Sequence, residues 1–228
     1  MKNQIVDSSA PVLLVGGGEC PRAALIDALA VTKTVVAADG GAAHCLELGR
    51  VPDAVIGDMD SLDPDLAARL PEGVLHRITE QDSTDFDKCL RMVQAPLVLG
   101  HGFLGARLDH QLAAMTVLVR RADRLCVLVG AEDVVCVAPP RLALDLPLGA
   151  RVSLFPMAPV TGRSTGLRWP IDGIGFAPGG RVGTSNEVSG PVTLEMDGPS
   201  MLLILPVACL NALLAGLAEA PRWPARAI

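Results

Sequence analysis

The chain has 228 residues, enough for one large domain or two small ones with a substantial core, and half of its residues are apolar. Its net charge of −6, a pI near 5.2 and the lack of any basic stripe exclude the electrostatic footprint of a nucleic-acid binder. With no apolar run of the roughly 18 to 20 residues that span a membrane, no apolar signal core between Met1 and Pro11, and six scattered cysteines, the chain reads as soluble, untargeted and cytoplasmic, with reduced thiols.

Val12 to Val15 reads as a strand, Gly16-Gly17-Gly18 as a turn and Pro21 to Ala30 as a helix with proline near its first position. This unit is either a tight turn or a place where backbone N–H groups meet a phosphate, but it carries neither a P-loop nor a complete dinucleotide fingerprint. Val35 to Ala38 is a second buried strand that delivers Asp39-Gly40-Gly41 to its carboxyl end, before a helix from about Ala42 to Leu48. Ligands of open α/β sheets gather at that edge, so Asp39 is either a ligand contact or a helix cap.

Asp53 to Ile56 reads as a third strand, which releases the backbone at Gly57 so that Asp58 and Asp60 project to one side and Met59 turns away. Such a pair suits Mg²⁺, which takes one or two carboxylates plus water and phosphate oxygens; it also suits a solvated turn capping a helix near Asp65 to Leu70. A strand near Val74 to Ile78 leads into Gln81-Asp82-Ser83-Thr84-Asp85-Phe86-Asp87-Lys88, where Thr84 is a natural N-cap and Asp85 fits the first helical turn. Leu97 to Leu99 is another short strand. The glycine-rich stretch Gly100 to Asp109 then offers Arg107, a phosphate-pairing guanidinium, and Asp109 at the mouth of a helix reaching about Ala122. Leu125 to Val129 closes the series. Strands alternating with helices predict a mostly parallel sheet flanked by helices over residues 1–132.

Beyond residue 132 the pattern changes to short β-type runs at Val134 to Val137, Val152 to Phe155, Val192 to Met196 and Met201 to Leu205, separated by Gly, Pro, Ser and Asn. Residues 133–228 therefore read as a smaller all-β, sandwich-like domain. Gly166 to Pro170 and Gly183 to Glu187 read as loops that could line a pocket. After Pro206, Leu210, Leu213, Leu214 and Leu217 share one helical face, and Pro221-Arg222-Trp223-Pro224 begins a loose end.

Three acidic segments, each following a strand, are expected to converge at one sheet edge, where neighbouring carboxylates repel unless a cation neutralises them. With Ala38-Asp39-Gly40-Gly41-Ala42, Ile56-Gly57-Asp58-Met59-Asp60-Ser61, Gln81 to Lys88, Gly102 to His110, Gly166-Leu167-Arg168-Trp169 and Thr184-Ser185-Asn186-Glu187 in this order, the chain resembles the thiamine pyrophosphokinase family from about Val12 to Leu205. It departs from the family at Ala106, where another glycine is common, and in a longer tail after Pro206.

The resemblance implies Mg²⁺-assisted transfer of a diphosphate group from ATP to the hydroxyethyl oxygen of thiamine, giving thiamine diphosphate and AMP, by a homodimer whose sites lie between subunits. It implies an ATP-binding catalytic domain followed by a thiamine-binding β domain. By motif position, Asp58, Asp60 and Asp85 would carry the metal. Asp39 and Gly40 would lie near the nucleotide, with Gln81, Thr84, Arg107 and Asp109 at the phosphates or ordering the loops. Trp169, Ser185 and Asn186 would meet the thiamine rings. No strong general base stands out, since His44, His76, His101 and His110 read as structural or merely polar. Two alternatives stand beside this reading: the same chemistry on another hydroxymethyl heterocycle such as a pterin, and a non-catalytic nucleotide- or thiamine-binding relative.

Overall fold

Continuous apolar strands, rather than alternating ones, are what a parallel sheet covered on both faces requires, and the first half of the chain is built from them. The computed structural model describes residues 4–105 and 107–225; Ala106 lies outside the described residues. In chain order the first elements are β1 (Val6–Asp7), β2 (Val12–Val15), α1 (Arg22–Val31), β3 (Thr34–Ala38), α2 (Gly41–Glu47), β4 (Ala54–Gly57), α3 (Pro64–Ala67) and β5 (Leu75–Arg77). They are followed by α4 (Asp85–Met92), β6 (Val93–Gln94), β7 (Val98–His101), α5 (Leu108–Arg120) and β8 (Cys126–Val129).

Strands β5, β4, β3, β2, β7 and β8 pair in that order, all parallel. Every residue of β2, β4, β7 and β8 is buried. The chain runs outward from β2 to β5 and then crosses back to place β7 on the other side of β2, so the strand order reverses between β2 and β7. Short β1 and β6 form a separate parallel pair that the sequence does not announce. Helix α3 is a single turn capped by Asp63, shorter than the run from Asp65 to Leu70 that the sequence suggests.

The second half contains β9 (Asp133–Val137), β10 (Arg141–Leu144), β11 (Arg151–Pro156), β12 (Gly162–Leu167), β13 (Thr184–Met196) and β14 (Met201–Pro206), then a 3-10 turn (Val207–Cys209) and α6 (Leu210–Glu219). All its strand pairs are antiparallel: β9 with β14, β14 with β11, and β11 with β13. The long β13 changes partners along its length. Its Thr184–Glu187 end pairs with β11, and its Val192–Met196 end lies between β10 and β12. Contacts divide the chain into two compact units: one runs through Val117 and takes in Cys126–Ala131, and the other comprises Leu118–Leu125 and the chain from Glu132 onward.

Three readings are corrected. Gly183 to Glu187 is not a loop, because all but Gly183 form the first turnless stretch of β13, with Ser153 opposite Ser185 and Val152 opposite Asn186. Strands β10 and β12 arise where prolines and polar residues hide them; their pairing comes from β13, far away in sequence. Residues 221–224 are not a loose end, since the Trp223 indole Nε1 donates to the Ala138 carbonyl at 2.9 Å. The face of α6 forms as its leucine spacing predicts, with Leu213 and Leu217 buried. Among the described residues no helix is long and apolar enough to cross a membrane.

Candidate functional site

The acidic site is assembled at the carboxyl ends of β3 and β4 and at the start of α4. Two glycines make the approach possible. A Cβ on Gly41 would lie 2.0 Å from the Val15 carbonyl oxygen, so only glycine lets α2 start against the end of β2. A Cβ on Gly57 would lie 2.9 Å from the Asp39 Cβ and 3.1 Å from Asp85 Oδ1, so the missing side chain leaves room for those two aspartates to meet beside the last residue of β4.

Beyond Gly57 the chain turns sharply through Met59, which has φ of +66°, a conformation that costs an L-residue on the order of 1 kcal/mol. Its side chain packs against the small core of Ala37, Ala42, Val55 and Leu62. Anchoring Met59 inward directs its neighbours outward: Asp58 Oδ1 accepts from the Asp60 amide at 3.3 Å, and Asp60 Oδ1 accepts from Ser61 Oγ at 2.9 Å. Asp39, also in a left-handed conformation at φ +42°, accepts from the Ser61 amide through Oδ2 at 3.1 Å. Its Oδ1 is buried and has no hydrogen-bond partner. One oxygen each from Asp39, Asp58 and Asp60 lies within 4.8 Å of the others, a set that could hold a metal ion.

Asp85 lies beside the end of β4, in the first turn of α4. Helix α4 begins with Thr84 as N-cap, its Oγ1 accepting from the Asp87 amide at 3.3 Å. One helical turn later, Lys88 points back at Asp85. The Lys88 Nζ donates to Asp85 Oδ1 at 3.0 Å and to Asp58 Oδ2 at 3.1 Å, and the side chain is only 1% exposed. Burial pushes the Asp58 carboxyl upward, but the Lys88 ammonium and the Asp60 amide outweigh it and hold the group below its ordinary value. Lys88 is raised: desolvation lowers it, and its bonds to Asp85 and Asp58 more than compensate. Asp39 is pushed up to about 6 by burial, with the charges of Asp85 and Asp60 adding to the rise.

Sequence reasoning does not single out Lys88. The available signal is its spacing of three from Asp85 on a helix whose N-cap is recognisable, since residues three apart share a face.

The remaining loops have distinct roles. Arg91 on α4 binds Glu80 through both terminal nitrogens and Ser83 Oγ at 3.1 Å, which ties down the segment that carries Gln81. Gln81 and Thr84 are themselves exposed. At the reversal of strand order, the loops after β2 and β7 close on each other: the Gly16 amide donates to the His101 carbonyl at 2.7 Å and the Gly18 amide to the Gly102 carbonyl at 3.0 Å. His44 Nε2 donates to the Gly18 carbonyl at 3.0 Å, and the Phe103 ring stacks at a tilt on Phe86 with centroids 4.5 Å apart. Arg107 and Asp109 pair with each other on the exposed start of α5, and the guanidinium holds the Asp109 carboxyl down to about 2. Gly40 forms the N-cap position of α2 without any side chain to donate or accept.

In the β unit, Trp169 is exposed, with the Arg168 guanidinium 4.8 Å above its ring centroid. Ser185 is exposed on β13, whereas Asn186 is buried. Asn186 Nδ2 donates to the Trp169 carbonyl at 2.6 Å, and its Oδ1 accepts from the amides of Trp169 at 3.1 Å and Glu187 at 3.0 Å. The Asn186 side chain thus fixes the backbone at Trp169. Asn186→Ala should lower unfolding free energy by about 2 kcal/mol, because buried backbone groups lose their partners; chemical denaturation measures it, and an unchanged midpoint would contradict this role.

Family models match both halves of the chain: the thiamin pyrophosphokinase catalytic domain over residues 27–129 and the thiamin pyrophosphokinase vitamin B1 binding domain over residues 141–201. Among curated relatives, thiamine pyrophosphokinase 1 of Arabidopsis thaliana is 28% identical over 166 residues, covering 64% of this chain and 62% of the relative. Thiamine pyrophosphokinase 1 of Oryza sativa subsp. japonica is 28% identical over 156 residues, covering 60% and 59%. The match therefore spans about three fifths of the length of these relatives.

The fold is similar to that of solved structures. Thiamin pyrophosphokinase from Geobacillus thermodenitrificans superposes with a TM-score of 0.69 at 24% identity, over 86% of this chain and 96% of that one. Yeast thiamin pyrophosphokinase gives 0.72 at 17% identity, over 94% of each. Both family models, in order and over most of the chain, together with the acidic ends of β3 and β4, lead to one assignment: the chain belongs to the thiamin pyrophosphokinase family.

Proposed function

We propose that this protein transfers a diphosphate group from ATP to the hydroxyethyl oxygen of thiamine, forming thiamine diphosphate and AMP. The observation that carries the reading is the set of carboxylate oxygens of Asp39, Asp58 and Asp60 within 4.8 Å of one another. The buried Asp39 Oδ1 there lacks any partner. A hard divalent cation accepts such a set, and all the donors present are oxygens, so Mg²⁺ fits. When bound, the ion would neutralise charge on the polyphosphate.

The chain's own residues do the rest. In the transfer, the thiamine oxygen forms a bond to the β-phosphorus, the bond from that phosphorus to the bridging oxygen of the α-phosphate breaks, and AMP leaves with that oxygen. The alcohol proton passes to an aspartate or to water late in the step. Asp39, Asp58 and Asp60 would hold the ion with Asp85 beside them, Lys88 would tie Asp58 to Asp85, and Arg107 is a phosphate partner once it leaves Asp109. Trp169 offers an indole face to a cationic aromatic ring, and Ser185 a nearby hydroxyl; Asn186 holds the Trp169 backbone. A homodimer and a cytoplasmic setting belong to the same proposal, and six free cysteines, five of them buried, support a reducing compartment.

The test is the nucleotide product. With thiamine, ATP and Mg²⁺ supplied, AMP should form in step with thiamine diphosphate. ADP as the product, or turnover indifferent to thiamine, overturns the proposal; preferential use of a pterin alcohol would move the acceptor while keeping the chemistry.

A further inference from the structure

Arg77 is the last residue of β5, the outer strand of the parallel sheet, and it stands directly opposite Gly57 of β4. The Ile78 amide donates to the Gly57 carbonyl at 2.7 Å and holds that register. The Arg77 side chain is exposed, and it reaches across to the neighbouring strand end, where its Nε donates to the Asp58 carbonyl at 3.1 Å. One nitrogen thus tethers the guanidinium to the residue that also supplies a carboxylate to the Asp39, Asp58 and Asp60 set. Among the described residues its two terminal nitrogens have no hydrogen-bond or ion-pair partner.

Other cations of this half of the molecule are already engaged: Lys88 by Asp58 and Asp85, Arg91 by Glu80 and Asp87, and Arg107 by Asp109. Arg77 instead spends its one bond on a backbone carbonyl, so its charge stays available beside the carboxylates. A guanidinium held through Nε keeps its planar fork oriented, and the two terminal nitrogens match a pair of phosphate oxygens. We propose that Arg77 binds the β- and γ-phosphates of the nucleotide with those two nitrogens. The inference rests on the diphosphate-transfer reading above and adds a residue from β5, a strand to which that reading gives no part. Arg107 must break an ion pair before it can meet a phosphate, whereas Arg77 needs no such release.

The test compares two nucleotides that differ in their phosphates, bound without turnover and followed by titration calorimetry in the presence of Mg²⁺. One is α,β-methylene-ATP, in which carbon replaces the oxygen whose bond would break; the other is AMP, which lacks the β- and γ-phosphates. Arg77→Met should bind α,β-methylene-ATP about tenfold more weakly than wild type, the order expected for a lost charge-assisted contact, while AMP affinity changes less than about twofold. Arg77→Lys keeps the charge and should stay within about threefold of wild type for both. In steady state, the KM for ATP should rise in Arg77→Met while the KM for thiamine holds.

Two results overturn the inference. Unchanged binding of α,β-methylene-ATP would make Arg77 a charge that only blunts an exposed sheet edge. Equal losses for α,β-methylene-ATP and AMP would make it a prop for the turn after β4, acting through the Asp58 carbonyl. Circular dichroism checks folding, and should Arg77→Met not fold, Arg77→Gln decides through the same two titrations. If wild-type protein forms AMP from ATP and thiamine but the variants bind both nucleotides as wild type does, only the Arg77 inference falls; if wild-type protein neither binds α,β-methylene-ATP nor forms AMP, the functional proposal falls with it.

Discussion

Asp60→Asn should reduce AMP formation with thiamine by roughly 10²- to 10³-fold, while unfolding free energy changes by less than about 1 kcal/mol. The asymmetry follows from where Asp60 sits. It is exposed, its carboxylate accepts from Ser61 Oγ, and the turn that positions it is held by Met59 packing into the Ala37, Val55 and Leu62 core. The amide keeps the shape and the serine bond but removes a charge from the oxygen set shared with Asp39 and Asp58. Loss of that charge also relieves repulsion within the cluster, so stability should hold or rise slightly in metal-free protein. Steady-state assays of AMP release beside urea unfolding measure both quantities; equal losses of rate and stability would make the cluster a structural feature.

His101 should make the protein acid-sensitive in a defined window. It ends β7 and is 3% exposed, its Nδ1 lacks a partner, and desolvation lowers its imidazole to about 4 from the ordinary 6.5. Between those values the unfolded chain binds more protons than the folded one, so the stability carried by neutral His101 is complete above about 6.5 and is lost as pH falls towards 4. The amount is about 3 kcal/mol, from roughly 1.4 kcal/mol per unit of difference.

Asp39 works in the opposite sense, because its carboxyl is raised to about 6 and so favours the folded state less as pH climbs from 4 to 6. The comparison to make is therefore wild type against His101→Gln across pH 4 to 7. The wild-type advantage should shrink by about 3 kcal/mol towards the acid end, and a constant difference would show that His101 takes up its proton equally readily in the folded and unfolded chain.

Much of the first half of the molecule is readable from local pattern. Val12–Val15, Ala54–Gly57 and Cys126–Val129 are buried on both faces, so each appears as an unbroken apolar run whatever its neighbours are. Thr84 as a cap and Asp58 and Asp60 as outward neighbours of an inward Met59 are likewise local properties. The β half resists the same treatment. Ser185 and Asn186 have loop-like composition, and they form a strand only because β11 supplies hydrogen-bond partners more than thirty residues earlier in the chain.

The residue types alone determine that acidic groups follow several strands, that the chain alternates strand and helix before an all-β segment, and that family motifs occur in order. Tertiary structure alone decides which carboxylates meet. Asp39 joins Asp58 and Asp60 because Gly57 and Gly41 allow adjacent strand ends to touch, and Asp85 is claimed by Lys88. A charge leaves water only where partners from other segments replace its hydration. Lys88 has those partners in Asp58 and Asp85, one of them thirty residues away, so its burial is a property of the folded chain and has no counterpart in local spacing.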